Sequence, residues 1–205
     1  MSIHGSYSPY LSEILNDLTQ RIQIANQDMK EKTGFKLYEH FTARVKSEDS
    51  MLEKLSRKGY EIDTYSALKR VKDSIGLRIV CGFVDDIYKT VDFLRQMPDV
   101  TIVTEKDYIQ EAKPNGYRSY HLILEIETSF PDCLGNENGK YFVEIQLRTI
   151  AMDSWASLEH QMKYKHDITN AEMITRELKR CADELASCDL SMQTIRNLIQ
   201  MEIKD

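Results

Sequence analysis

Residues 141–159, YFVEIQLRTIAMDSWASLE, read as one strand followed by one helix. In an extended strand alternate side chains share a face, so Tyr141, Val143, Ile145 and Leu147 lie on one side and Glu144, Gln146 and Arg148 on the other. One face is core and the other is chemistry or water. A half-solvated antiparallel strand shows the same alternation, so this strand alone leaves both readings open. A second carboxylate in a matching position, with the basic residues such a pair would need, decides between them.

The 205 residues suffice for one substantial core without disulfides or metals, and 41% hydrophobic with 29% charged residues are globular values. A net charge of -6 argues against a surface built to hold duplex nucleic acid through many phosphate contacts. A local basic site for small phosphorylated ligands fits better. Cys81, Cys133, Cys181 and Cys188 form no C-x-x-C pair and carry no zinc-type spacing. Cys181 and Cys188, seven apart on a helix pattern, are expected as packing residues, and a reducing cytoplasm is the expected location. The first residues lack the basic start and apolar run of a signal peptide, and no segment has the length of a membrane span.

Residues 9–32 place Leu11, Ile14, Leu15, Leu18, Ile22 and Ile24 mostly at three- and four-residue steps, an amphipathic helix closed by Gly34. Residues 38–58 begin extended and turn helical near Ser47, which supplies a cap, with Met51, Leu52 and Leu55 as the apolar side. Ser50, Lys54, Arg57 and Lys58 share another face, and Arg44 and Lys46 lie just before it. Alone, these cations read as a solvated basic surface.

A helical stretch at 61–72 leads to Asp73 and a β-branched strand at 75–84 with Arg78 between Leu77 and Ile79. A helix at about 85–97, a strand at 99–109, an Asn115-Gly116 turn, a strand at 119–128 and a polar connector follow. The connector returns the chain antiparallel into 141–149. At least four strands, alternating with helices at first and pairing as hairpins at the end, predict a mixed sheet in an α+β or α/β domain. Beyond Thr149 the pattern is helical, with an apolar stripe over 171–203 that exceeds what a small sheet covers and invites self-association. No second-domain linker is evident: residues 1–34 form an N-terminal helix, 38–165 a core and 168–205 a C-terminal helical region.

Asp73 and Glu144, on separate strands, are placed to converge on one Mg²⁺, which takes oxygen ligands and keeps waters and substrate phosphates in its shell. Arg44, Lys46, Ser50, Lys54, Arg57 and Arg78 are candidates for a polyphosphate. Lys106, Lys113, Tyr117 and His121 gather around the glycine turn, where tyrosine offers a face for a base. No G-x-x-x-x-G-K-[ST] loop or dinucleotide-binding glycine pattern is present.

The runs DSIGLRIVCGFVDDI, DYIQEAKPNGYRSYHL and VEIQLRTIAMDSWASLEH, with ARVK and the basic helix after it, resemble the RelA/SpoT-homologue alarmone synthetases of the small single-domain type. The resemblance spans 38–165 in order and spacing. It implies an α+β, nucleotidyltransferase-like mixed sheet flanked by helices, and transfer of the β,γ-pyrophosphate of ATP to the 3′-hydroxyl of GDP or GTP, with AMP leaving. It implies that Asp73 and Glu144 hold Mg²⁺, with Glu144 also placed to accept the hydroxyl proton. Arg44 and Arg78 would sandwich adenine, and Lys46, Ser50, Lys54 and Arg57 would hold ATP phosphates. Tyr117 would stack on guanine, Lys106, Lys113 and His121 would lie near the acceptor phosphates, and Gln146 and Arg148 would shape the floor.

The resemblance also implies a homotetramer assembled through terminal helices. His166-Asp167 is the sole His-Asp pair and lacks the further ligands of a hydrolase domain, so synthesis without hydrolysis is expected. HFTA before Arg44 departs from the Phe-x-Thr-Gly of relatives that bind alarmone between subunits, so activation by product is not carried over. A tRNA 3′-end pyrophosphokinase, a ppApp-forming toxin relative and an idle nucleotide or RNA-binding module are the alternatives. Nucleic acid is not required as a partner, and single-stranded RNA stays open as one.

Overall fold

A computed structural model describes residues 2–164 and 170–202. Five strands, β1 (His40–Val45), β2 (Ile75–Cys81), β3 (Val100–Asp107), β4 (Tyr120–Glu127) and β5 (Lys140–Thr149), form one sheet in the order β1-β2-β5-β4-β3. β2 and β5 run parallel, while β1, β4 and β3 each pair antiparallel with their neighbours. Helices α1 (Ser8–Thr33), α2 (Glu48–Lys58), α3 (Val84–Arg95), α4 (Ile150–Tyr164) and α5 (Ala171–Glu202) complete the mixed α+β domain.

The alternation on β5 does what the sequence requires of it. Tyr141, Val143, Ile145 and Leu147 are buried, as are Ile75, Leu77 and Ile79 of β2 and Leu122, Leu124 and Ile126 of β4. They pack with Leu11, Ile14, Leu15, Leu18 and Ile22 of α1 and with Ile87, Val91 and Leu94 of α3 in one cluster. Each such fully buried aliphatic side chain contributes about 2 kcal/mol of transfer free energy. Gly34 closes α1 in the left-handed region at φ 75°, its N–H bonded to the Lys30 carbonyl. Ser47 caps α2 by accepting the Ser50 N–H at 3.4 Å.

Several local expectations are corrected. The helical stretch expected at 61–72 is shorter, running over 64–70 and mostly as a π-helical turn at Ser66–Arg70, where the Ser74 hydroxyl and the Asp63 carboxylate take up local backbone groups. β2 ends at Cys81, and α3 already begins at Val84. Ile24 is exposed on α1. Cys181 and Cys188 are exposed and free rather than packed. They lie off the face by which α5 docks, which carries Leu178, Ala182, Gln193 and Arg196 as its buried residues. His166 and Asp167 lie outside the described residues.

α5 is held by polar contacts along its length. Trp155 Nε1 donates to the Leu178 carbonyl at 2.8 Å, Arg118 to the Ala182 carbonyl at 3.3 Å, and Thr149 Oγ1 to Asp189 at 2.6 Å. Gln193 accepts the Asp85 N–H at 3.2 Å, and Arg196 Nη1 meets Asp86 Oδ2 at 2.6 Å. Arg196 also lies over the rings of Phe35 and Phe83, at 5.0 and 4.4 Å. Leu190, Met192, Ile195, Leu198, Ile199 and Met201 of this helix are exposed. Among the described residues no helix is long and apolar enough to cross a membrane.

Both partners of the Arg196–Asp86 pair are almost fully buried, and among the described residues the only other cation on Asp86 is the half-exposed Lys89 at 3.3 Å, so truncating Arg196→Ala leaves a buried carboxylate under-compensated. The expected loss is about 3–5 kcal/mol, read as a lowered urea midpoint at fixed protein concentration. A loss under about 1 kcal/mol would show that the far half of α5 is not anchored by this pair.

Candidate active site

The register of the sheet builds the site in two rows on the face away from α1 and α3. Across the first, Arg44, Gly76, Glu144, Ile123 and Thr104 stand opposite one another on successive strands. Across the second stand Thr42, Arg78, Gln146, His121 and Lys106. Gly76 matters through what it lacks: a Cβ there would meet nothing closer than the Arg44 carbonyl at 3.9 Å, which leaves open space beside Glu144. A cavity of about 250 Å³ results, lined by Thr42, Ala43, Arg44, Lys46, Asp73, Gly76, Leu77, Arg78, Glu144 and Gln146.

Asp73 sits just before β2, and its Oδ2 accepts from both Lys46 and Lys54. Burial works to raise its pKa, yet the two ammonium groups outweigh burial and hold it below the ordinary carboxylate value. Lys46 is shifted down, because burial outweighs its bond to Asp73. Asp73 Oδ1 is buried without a protein partner. A buried anionic oxygen with free lone pairs, on the same cavity as Glu144, fits a hard cation that takes few protein ligands. Among the described residues no group of three or more His, Cys, Asp or Glu side chains gathers, which separates this pair from a closed zinc-type cage.

The other side of the site is one connected network. Arg148 donates through Nη2 to Tyr117 Oη and to Gln146 Oε1, both at 3.0 Å, and through Nη1 to Asp153 at 2.9 Å. Gln146 Nε2 donates to Glu144 at 3.2 Å. Tyr117 Oη lies 2.8 Å from His121 Nε2. Arg148 occupies one lone pair of that hydroxyl, and the direction of the Tyr117–His121 bond follows the imidazole tautomer. Lys113 Nζ lies over the rings of Tyr108 and Tyr117, at 4.6 and 4.8 Å. Gly116, at φ 90°, backs against α5: a Cβ would come within 2.6 Å of Ala182 Cβ.

Of the residues singled out from the sequence, Arg44, Lys46, Asp73, Arg78, Glu144 and Gln146 line the cavity, and Lys54 reaches it through Asp73. Lys113, Tyr117, His121 and Arg148 form the adjoining network. Ser50 and Arg57 are exposed on α2 outside the cavity lining, and Lys106 is exposed on β3 opposite His121. Sequence reasoning passed over Asp153, although its place five residues after Arg148, in the first turn of a helix that follows the strand directly, was a usable signal. A larger hollow of about 420 Å³ lies between the ends of α1 and α5. Its lining acid, Asp86, is bound to Arg196, and neither site carboxylate reaches it.

A mixed sheet with two carboxylates and several cations around one cavity is the layout of a nucleotide-handling transferase domain. The chain belongs to the RelA/SpoT family: residues 43–169 match the model described as the region found in RelA / SpoT proteins. It is 43% identical over 182 residues to the GTP pyrophosphokinase YwaC of Bacillus subtilis, covering 89% of this chain and 85% of that protein. It is 39% identical to the GTP pyrophosphokinase YjbM of the same organism, over 79% of this chain and 74% of that one. Among solved structures, small alarmone synthetase 1 from B. subtilis bound to its product pppGpp aligns at a TM-score of 0.78 with 33% identity, over 93% of this chain and 94% of that chain. Small alarmone synthetase 2 aligns at 0.77 with 39% identity, over 92% and 95%.

His121 carries a pH signature. Burial, then the charges of Arg148, Lys113 and Lys106, push its pKa from 6.5 down to about 4. The unfolded chain binds this proton near 6.5 and the folded chain not until about 4, so stability falls as pH drops through that window. The share from this group approaches a slope of about 1.4 kcal/mol per pH unit, less what residual exposure screens. His121→Asn is expected to flatten urea-unfolding stability between those two pH values, and an unchanged slope would show that the imidazole is not held neutral.

Proposed function

We propose that this chain transfers the β,γ-pyrophosphate of ATP to the 3′-hydroxyl of GDP or GTP, producing ppGpp or pppGpp and AMP. The observation that carries the reading is the convergence of Asp73 and Glu144 on one cavity with Arg44, Lys46 and Arg78. It stands beside a tyrosine-bearing turn and within a family whose similar members are GTP pyrophosphokinases.

Each role follows from charge and place. Arg44 and Arg78, one row apart on neighbouring strands, offer guanidinium planes for the donor base. Lys46 and Lys54 exchange Asp73 for phosphate oxygens as the triphosphate enters, and Ser50 and Arg57 extend that cationic side along α2. Tyr117 presents its ring to the acceptor base, with Lys113 and Lys106 for the acceptor phosphates. Gln146 and Arg148 fix the floor between the two nucleotides. Asp73 and Glu144 would hold Mg²⁺, which when bound neutralises charge spreading over the transferred phosphates. The acceptor oxygen forms its bond to the β-phosphorus as the bond from that phosphorus to the α–β bridging oxygen breaks. Glu144 takes the hydroxyl proton, and AMP departs with the bridging oxygen. Alignment and charge neutralisation supply most of the acceleration, and the rigid strand register provides the alignment.

The exposed apolar face of α5 supports assembly through the terminal helices, for which the homotetramer is our reading. The free cysteines and the nucleotide substrates suit a cytoplasmic enzyme. Incubation of the protein with Mg²⁺, γ-labelled ATP and, separately, GDP, GTP, ADP or tRNA is expected to move label onto GDP or GTP with equimolar AMP. Glu144→Gln is expected to cut the rate by about 10²–10⁴-fold while nucleotide binding survives. Label on ADP or tRNA alone would change the acceptor assignment. Full activity in Glu144→Gln would overturn the roles given to that carboxylate.

A further inference from the structure

Arg78 belongs to the donor side of the cavity and Arg148 to the acceptor-side network, yet both meet the same oxygen. Asp153 Oδ1 accepts from Arg148 Nη1 at 2.9 Å and lies 3.5 Å from Arg78 Nη1. The Arg148 side chain is only 6% exposed and that of Asp153 21%. We infer that Asp153 is a positioning residue that sets the two nucleotide subsites relative to each other by holding Arg78 and Arg148 on one carboxylate. The inference rests on the pyrophosphate-transfer reading and adds to it a residue outside the cavity lining.

Sheet pairing alone does not set this geometry. Arg78 stands opposite Gln146, one row away from Arg148, which stands opposite Val80. Two guanidinium groups so placed repel one another, and both burial and the charge of Arg148 work against the charge on Arg78. A carboxylate between them offsets that repulsion: Arg148 is hydrogen-bonded to it at 2.9 Å, and Arg78, whose side chain is 41% exposed, is ion-paired with it at 3.5 Å. Asp153 is well placed for this because α4 begins at Ile150, directly after the last residue of β5. The position of the carboxylate therefore follows the strand without an intervening loop.

A simpler role for an acid in a first helical turn is to complement exposed N–H groups. Here that task has another agent: Thr149 Oγ1 accepts the Met152 N–H at 3.2 Å and donates to Asp189. The carboxylate of Asp153 is spent on the arginines instead. From Arg148 the chain of bonds runs on to Gln146 and Glu144, and by a branch to Tyr117 and His121. One charge thus stands between the residue offered to the donor base and those offered to the acceptor.

The test is calorimetric binding of α,β-methylene ATP and of GDP to the full chain and to Asp153→Asn, which keeps the shape and removes the charge. Both affinities are expected to fall roughly tenfold, with Asp153→Glu recovering part of each loss. In an Arg78→Ala background, Asp153→Asn is expected to cost no further analogue affinity, because the partner it oriented is gone. Loss of affinity for one nucleotide only, for neither, or a fully additive loss in the double variant would overturn the inference. If Asp153→Asn does not fold, Asp153→Glu against wild type decides it: equal loss of both affinities supports the bridge, and unequal loss overturns it. Wild-type protein that binds neither nucleotide would instead remove the pyrophosphate-transfer reading, and the bridge with it.

Discussion

The parallel pairing of β2 with β5 is the constraint on which the site depends. A parallel pair at the centre of a sheet must bury one whole face, and here Ile75, Leu77 and Ile79 lie level with Val143, Ile145 and Leu147 under α1 and α3. With period-two alternation, that burial forces Gly76 and Arg78 to stand beside Glu144 and Gln146 on the opposite face. A slip of one residue would put Glu144 and Arg78 into the core, at a cost no small domain can absorb. The hydrophobic core and the chemical register are therefore one constraint seen from two sides. The antiparallel neighbours extend it, carrying Arg44 in at one end and His121 with Lys106 at the other.

An acidic chain concentrates positive charge here, and the manner of its neutralisation explains the geometry. Asp73 is clasped by Lys46 and Lys54, while Arg148 is shared among Tyr117, Gln146 and Asp153. Charges so held are already oriented by protein partners and need not be assembled from water. The same logic keeps His121 neutral: with three cations around a buried imidazole, a fourth positive charge is the unfavourable state. Its useful property in the network is then to stay a neutral hydrogen-bond partner of the tyrosine hydroxyl rather than to exchange protons.

Much of this was legible in the sequence. The alternation on β5, the Ser47 and Gly34 caps and the turn at Asn115-Gly116 are local signals with local causes, and the structure follows them. Glu144 stood out because its neighbours on β5, Val143 and Ile145, are apolar and buried, whereas Asp73 lies in the turn just before β2 and reaches the same cavity only through the sheet pairing. What escaped was long-range. β1 pairs with β2 across the twenty-nine residues 46–74 of helix and turn, which an extended run of six residues does not announce. Asp153 escaped because an acid in a first helical turn has an ordinary explanation, and only the placement of two arginines removes it. Cys181 and Cys188 were misplaced since a stripe of ten apolar residues does not say which side meets the core.

That last ambiguity has a physical resolution. α5 has two working faces: one meets the catalytic core through Leu178, Ala182, Asp189, Gln193 and Arg196, and the other is an unpaired apolar surface. On the docked side the helix backbone presses so closely on the Asn-Gly turn that only glycine fits at 116, and Arg118 ties the turn to Ala182 and Asp183. The turn that presents Tyr117 therefore has no independent position; it is set by where α5 lies. A helix of 32 residues, fixed at both ends by buried polar contacts, transmits displacement better than it absorbs it. The acceptor-side turn and the docked face of α5 are thus one packed unit in this fold.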